Sequence, residues 1–219
     1  MPKENKAKGK TPAGTRVRSL STRPERAGQS TAPGRVRIVG GVWKRTPIAV
    51  ADRAELRPTP DRVRETLFNW LSFFRPDTTP LRGLDLFAGT GVLGFELASR
   101  GARSVLLVER DAHLVERLVA LKAKLDAKQI EIVAGDALSI AARLAPGSFD
   151  IVFLDPPFDA GLLRPALERV RALLAPDGLV YAESGAPIES ELAGNLGLEL
   201  VRMGQAGQVR FCLLQKNGS

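Results

Sequence analysis

Cysteine and histidine are almost missing from this chain: its 219 residues contain one of each, Cys212 and His113. A single cysteine excludes a disulfide framework and a cysteine-rich metal centre. A single histidine argues against a histidine-based zinc site and against a Ser-His-Asp triad. Aromatic residues make up only 5% of the chain. No run of 18 apolar residues occurs, so a transmembrane helix is not expected. Chemistry here must rest on carboxylates, backbone groups or a bound cofactor. With 44% apolar residues, the length suits one medium domain with a sizeable core and a tail.

Acidic residues are scarce at one end. Residues 1–37 hold ten basic side chains and two acidic ones, Glu4 and Glu25, which accounts for the whole formal charge of +8. The remainder of the chain is balanced. Residues 1–34 are rich in Lys, Arg, Ser, Thr, Pro and Gly and nearly free of large apolar groups, the composition of a disordered tail. That segment has no apolar central stretch, so it does not read as a secretory signal, and we expect a cytoplasmic protein. A basic arm on a neutral body points to a polyanionic partner, nucleic acid above all. A purely solubilising tail is the alternative.

Residues 35–50 alternate apolar with basic or small residues and predict a hairpin around Gly40-Gly41. Thr59 is positioned to cap the next helix, with Pro60 at its first turn and Asp61 at its positive end. That helix runs to about Phe74, with Val63, Leu67, Trp70, Leu71 and Phe74 on one face, Arg62 near its start and Arg64 on its polar side. From residue 83 strands alternate with helices. Strands are predicted at 84–87, 105–108, 130–133, 151–154 and 179–182, with helices to about 100 and over 112–125 and 162–174. Residues 198–203 and 209–214 predict a terminal hairpin. Short apolar strands alternating with helices imply an α/β fold, a doubly wound and mostly parallel sheet. The expected organisation is a tail over 1–34, an extension over 35–75 and a core over 83–219.

Between the first core strand and its helix stands Asp85-Leu86-Phe87-Ala88-Gly89-Thr90-Gly91-Val92-Leu93-Gly94. Its glycines have the G-x-G-x-x-G spacing in the strand–turn–helix setting that makes this motif meaningful. They allow a tight turn and let a ligand approach main-chain N–H groups. Glu109, at the end of the next strand, suits ribose hydroxyls. Asp85 argues against a pyrophosphate, which it would repel, and for S-adenosylmethionine, whose ammonium group it would attract. Asp136 with Ala137 adds an acid at the adenine position, or else a plain helix cap. The cofactor set is thus Asp85, Phe87, Ala88, Gly89, Gly91, Glu109, Asp136 and Ala137.

Asp155-Pro156-Pro157-Phe158 follows the fourth core strand, outside the carboxyl end of the sheet where ligands bind in such folds. An exocyclic base amine is a poor nucleophile because its lone pair is delocalised into the ring. The Asp155 side chain and a proline-held carbonyl can accept its hydrogens and aim the nitrogen at a methyl group. Prolines lock φ and so fix that carbonyl, and Phe158 can stack on the base. With the methyl group already activated by a sulfonium, alignment supplies most of the remaining help.

Together the two motifs resemble the class I S-adenosylmethionine-dependent methyltransferases that act on amines. Residues 37–44 and 56–71, the latter reading Leu56-Arg57-Pro58-Thr59-Pro60-Asp61-Arg62-Val63-Arg64-Glu65 and onward to Leu71, closely resemble the bacterial 16S ribosomal RNA guanine-N(2) methyltransferases. The resemblance runs from about residue 35 to the C-terminus. It implies a seven-stranded sheet with the last strand antiparallel and methylation of one guanine in 16S RNA, with free RNA and a small-subunit particle both open as the substrate; the composition gives no expectation of a metal or a membrane partner. It does not extend to the tail.

Arg37, Lys44, Arg45, Arg57, Arg62 and Arg64 form the candidate RNA-phosphate set, with one or two of them as alternatives for the methionine carboxylate. His113 reads as a surface residue and Cys212 as core. Gln205 and Gln208 are either substrate contacts or a polar turn. Two rivals remain open at this stage: an adenine amine methyltransferase on DNA or RNA, and a nucleic-acid-binding module without catalysis.

Overall fold

The chain enters on two short antiparallel strands, β1 (Arg35–Arg37) and β2 (Pro47–Ala49), followed by helix α1 (Asp61–Phe74). Strand and helix then alternate: β3 (Arg82–Asp85), α2 (Val92–Ser99), β4 (Ser104–Glu109), α3 (Ala112–Lys124), β5 (Ile130–Ala134), α4 (Ala137–Ala141), β6 (Phe149–Leu154), α5 (Leu163–Leu173), β7 (Leu174–Ser184), α6 (Ser190–Asn195), β8 (Leu198–Ala206) and β9 (Val209–Lys216). This computed structural model describes residues 35–50, 59–158 and 161–217. The tail expected over 1–34, and Arg57, lie outside the described residues.

Seven strands form the main sheet in the order β5-β4-β3-β6-β7-β9-β8. The pairs from β5 through β7 are parallel, and β9 runs antiparallel to both β7 and β8. The seven strands and the antiparallel final strand agree with the expected fold. The chain winds outward from β3 to β5, returns to β6 beside β3, and then winds the other way. The carboxyl ends of β3 and β6 therefore flank the point where the winding reverses, and a crevice opens there.

Successive strand residues face opposite sides, which divides the core in two. Val105, Leu107, Ile151, Phe153, Leu179, Tyr181 and Leu213 pack toward α1, α2 and α3. Leu84, Val152, Leu154, Val180, Ala182 and Leu214 pack toward α4, α5 and α6. Cys212 belongs to the second cluster, as expected of a core residue, and His113 is exposed.

The N-terminal extension is tied to α2. Gly41 has φ +75°, and a Cβ there would lie 2.0 Å from the Ser99 carbonyl oxygen, so this close approach needs glycine. The Val42 N–H donates to that carbonyl at 2.8 Å, and the Trp43 N–H donates to Ser99 Oγ at 2.9 Å. The first satisfies a carbonyl at the helix end that would otherwise lack a partner, and the Ser99 hydroxyl in turn donates to the Gly40 carbonyl at 2.7 Å. Beneath them lies Arg64. It is fully buried, and its Nη1 donates to Glu96 Oε2 and to the Arg37 carbonyl, both at 2.8 Å. Its other nitrogens reach Asp61 and the Thr59 carbonyl. Glu96, also buried, accepts from Arg100 and from the Val39 N–H.

Several expectations change. Arg64 is not on the polar side of α1, because its whole guanidinium is spent on this network. Thr59 does not cap α1: Pro60 occupies the cap position with no side-chain bond, and the Thr59 hydroxyl donates to Glu183 instead. The N-terminal strands are joined by residues 38–46 and not by a tight turn at Gly40-Gly41. Leu86 and Phe87 belong to the turn after β3. β7 starts at Leu174, ahead of the Pro176-Asp177-Gly178 break, with an irregular register against β6. The short α4 and α6 were not expected.

Candidate active site

A cleft of about 270 Å³ opens over the carboxyl ends of β3, β4, β5 and β6. It brings together Asp85, Phe87, Ala88, Gly89, Glu109, Asp136, Ala137 and the whole of Asp155-Pro156-Pro157-Phe158. Gly91 is the one residue of the expected set outside the lining. It starts α2 in the left-handed conformation, φ +76°, where an added Cβ would lie 2.4 Å from Leu118 Cδ2. It shapes the turn from behind.

The turn is held by side chains at the same strand ends. Glu109 Oε2 accepts from the Gly89 N–H and its Oε1 from the Asp111 N–H, each at 2.8 Å. Each oxygen keeps a further lone pair for a ligand hydroxyl. Asp85 is buried and accepts from the Gly94 N–H at 3.0 Å. Burial raises its carboxyl pKa to about 7; the Glu109 charge adds to this, and the Gly94 bond opposes it. Asp136 does both things open to it, capping α4 through the Ser139 N–H at 2.8 Å while lining the cleft. Its hydrogen bonds with Ser139 hold its carboxyl below the usual range.

On the β6 side, Pro156 is buried, while Pro157 and Phe158 are exposed. Phe158 is 47% exposed and sits beside Gly185. Burial pushes the Asp155 carboxyl well above its ordinary range, and the charges of Glu183 and Asp85 add to the shift.

The charge in the cleft is lopsided. Among the described residues, Asp85, Glu109, Asp111, Asp136 and Asp155 face it, against one cationic side chain, Arg110. Such a lining suits a cationic ligand better than a pyrophosphate. Val108, Leu114 and Leu162 supply apolar wall. Among the described residues no group of three His, Cys, Asp or Glu could hold a metal ion. No described helix is long and apolar enough to cross a membrane.

Sequence reasoning missed Thr59, Thr90, Arg110 and Asp111 as cleft residues, and Glu183 behind it. Thr59 carried a signal, since it lies within the 56–71 stretch, but it was read as a local cap. Glu183 had none. Of the basic set, Arg37, Lys44, Arg45 and Arg62 are exposed; Arg37 also pairs with Asp61 at 2.7 Å. None of them lines the cleft, and neither do Gln205 and Gln208, which lie exposed near the β8–β9 turn.

Residues 36–215 match the family described as conserved hypothetical protein 95. The chain is 39% identical to ribosomal RNA small subunit methyltransferase D of Escherichia coli K12 over 188 residues, covering 84% of this chain and 91% of that protein. The protein of the same name from Haemophilus influenzae is 38% identical over 70% of this chain and 80% of its own length. The solved structure of Escherichia coli yhhF superposes with a TM-score of 0.72 and 37% identity, over 85% of this chain and all of that one. Glycine turn, acidic cleft, strand order and these likenesses agree, and this chain belongs to the ribosomal RNA small subunit methyltransferase D family.

Proposed function

We propose that this chain transfers a methyl group from S-adenosylmethionine to the N2 amine of a guanine in 16S ribosomal RNA. One observation carries the reading: the glycine turn and Asp155-Pro156-Pro157-Phe158 line a single acidic cleft at the winding reversal. The names of the relatives, methyltransferases of small-subunit ribosomal RNA, support it.

The residues fit that donor. When bound, S-adenosylmethionine supplies a methyl group activated by its sulfonium charge. The free lone pairs of Glu109 suit two ribose hydroxyls. Asp85 suits the ammonium group, and Ala137 with Val108, Leu114 and Leu162 suits the adenine ring. Asp155 and the Pro156 carbonyl accept the hydrogens of the acceptor amine and turn its lone pair toward the cleft, while Phe158 offers a stacking face to the base. Arg37, Lys44, Arg45 and Arg62 lie exposed on the extension and, with the basic residues of 1–34 and Arg57, suit RNA phosphates.

The test is incubation with methyl-labelled S-adenosylmethionine and unmodified small-subunit particles or RNA, followed by nucleoside mass spectrometry. One labelled N2-methylguanosine in 16S RNA is the expected product. Labelled N6-methyladenosine would replace the base assignment, and no incorporation into either substrate would refute the reading.

A further inference from the structure

Glu183 is a buried carboxylate that the mechanism above leaves without a part. It is 3% exposed and stands on β7 next to β6, the strand that Asp155 follows. Leu154 pairs with Ala182 at the last paired position of β6 and β7, so Asp155 and Glu183 each follow one member of that pair. Neighbouring strands lie about 4.8 Å apart. Two hydroxyls converge on one Glu183 oxygen: Thr59 donates to Oε1 at 2.7 Å and Tyr181 at 2.8 Å. Hydroxyl donors favour the charged form of a carboxyl. Thr59 also lines the cleft that Asp155 lines. A structural carboxylate needs no such placement beside another acid, since like charges on adjacent strands repel.

We propose that Glu183, held by Thr59 and Tyr181, is a positioning residue whose negative charge makes Asp155 the proton acceptor of the reaction. The proposal rests on the amine methylation above. There the amine lone pair forms the N–C bond, the electrons of the broken C–S bond remain on sulfur, and the cationic nitrogen gives up one proton. A carboxylate at ordinary acidity is a weak acceptor for it, and a neighbouring negative charge strengthens one. Burial raises both carboxyls; on Glu183 the Thr59 and Tyr181 bonds oppose that rise, whereas on Asp155 the charges of Glu183 and Asp85 add to it.

Among the described residues, the following charged and titratable groups surround Asp155. Asp85 comes from β3, with Glu109 beyond it; Glu183 and Tyr181 come from β7, with Cys212 near Tyr181. Arg110, Asp111 and Asp136 line the same cleft from β4 and β5. Asp61, Arg64 and Glu96 of α1 and α2 are bonded to one another.

The test is carbon-13 NMR titration of the aspartate carboxyls in the full chain, without donor or RNA, Asp155 being assigned by its disappearance in Asp155→Asn. In Glu183→Gln the side-chain oxygen still accepts from both hydroxyls while the charge is gone. Asp155 should then titrate lower by about one pH unit or more, and the acid limb of kcat should move with it, the plateau falling about threefold. An unmoved Asp155 midpoint, or a shifted midpoint with an unmoved limb, would overturn the proposal. Should Glu183→Gln fail to fold, Thr59→Val weakens the charged form of Glu183 and should shift the midpoint the same way by less; no shift would overturn the proposal equally. The titration needs neither donor nor RNA, so failure of the methylation reading shows separately, as missing product in the preceding assay.

Discussion

The two faces of the central sheet use the same strands for different purposes. Under α4 and α5 the strand side chains are apolar to their ends, from Leu84 and Val152 to Leu154 and Ala182. Under α1 and α2 the rows end in Asp85, Asp155 and Glu183, and the Arg64–Glu96 pair is buried close by. The first face is closed by helices that the alternating chain lays down by itself, and apolar burial suffices for it. The second is partly closed by the extension, which lies outside that alternation and must be docked by specific bonds. Those bonds hold the extension against the face whose acids line the cleft, so the element that closes this face also brings Thr59 into the cleft.

The most severe way to break the contrast is Glu96→Gln. Arg64 would stay charged and buried with Asp61 as its remaining carboxylate, and Arg100 would lose its pair with Glu96, at a cost of about 3 kcal/mol, the low end for breaking a buried pair. Urea denaturation measures it, and a loss below about 1 kcal/mol would mean that apolar contact alone docks the extension. Asp155→Ala attacks the reacting end of the same face. Transfer of labelled methyl groups should fall about a hundredfold or more, while calorimetry should find donor affinity changed little. Near-normal turnover would reduce Asp155 to a strand-end residue.

Asp85 gives a gentler test through pH. With its carboxyl at about 7, the proposed pairing of Asp85 with the donor's ammonium group predicts that affinity weakens about tenfold for each pH unit below 7. Asp85→Asn should flatten that dependence. In the free protein the sign is the reverse. The raised value means that the Asp85 contribution to stability is complete below the ordinary carboxylate range and is lost as pH rises through about 7. The smallest effect belongs to Arg37→Ala. The Arg37–Asp61 pair is exposed, so stability should change by less than about 1 kcal/mol. If Arg37 meets a phosphate, the slope of log K against log salt should become shallower by about 0.7 to 0.9. An unchanged slope would remove it from the RNA-facing set.

Local grammar made much of this molecule legible in advance. Strand–helix alternation announced the sheet, and Gly89 and Gly91 together with Glu109 announced the cleft, because a glycine turn alone also serves tight strand–helix joints whereas an acid ending the next strand adds a ligand contact. Asp155-Pro156-Pro157-Phe158 could be placed at the mouth because strand ends in such sheets face ligands. Arg64 and Thr59 were misread for a common reason. On a helix wheel Arg64 belongs to the polar side, and before a helix Thr59 belongs at the cap. Both readings assume that the nearest partners in sequence are the nearest in space.

What the sequence alone determined was therefore the part ruled by neighbours a few residues away: element types, strand ends, the glycine turn and the acids beside it. Tertiary structure decided the partners of isolated polar groups. Arg64 meets Glu96 across 32 positions, and Thr59 meets Glu183 across 124. Nothing in the local pattern of either residue encodes that separation. A buried charge or hydroxyl must find a partner wherever the packed layers place one, and only the assembled sheet shows that Glu183 stands beside Asp155.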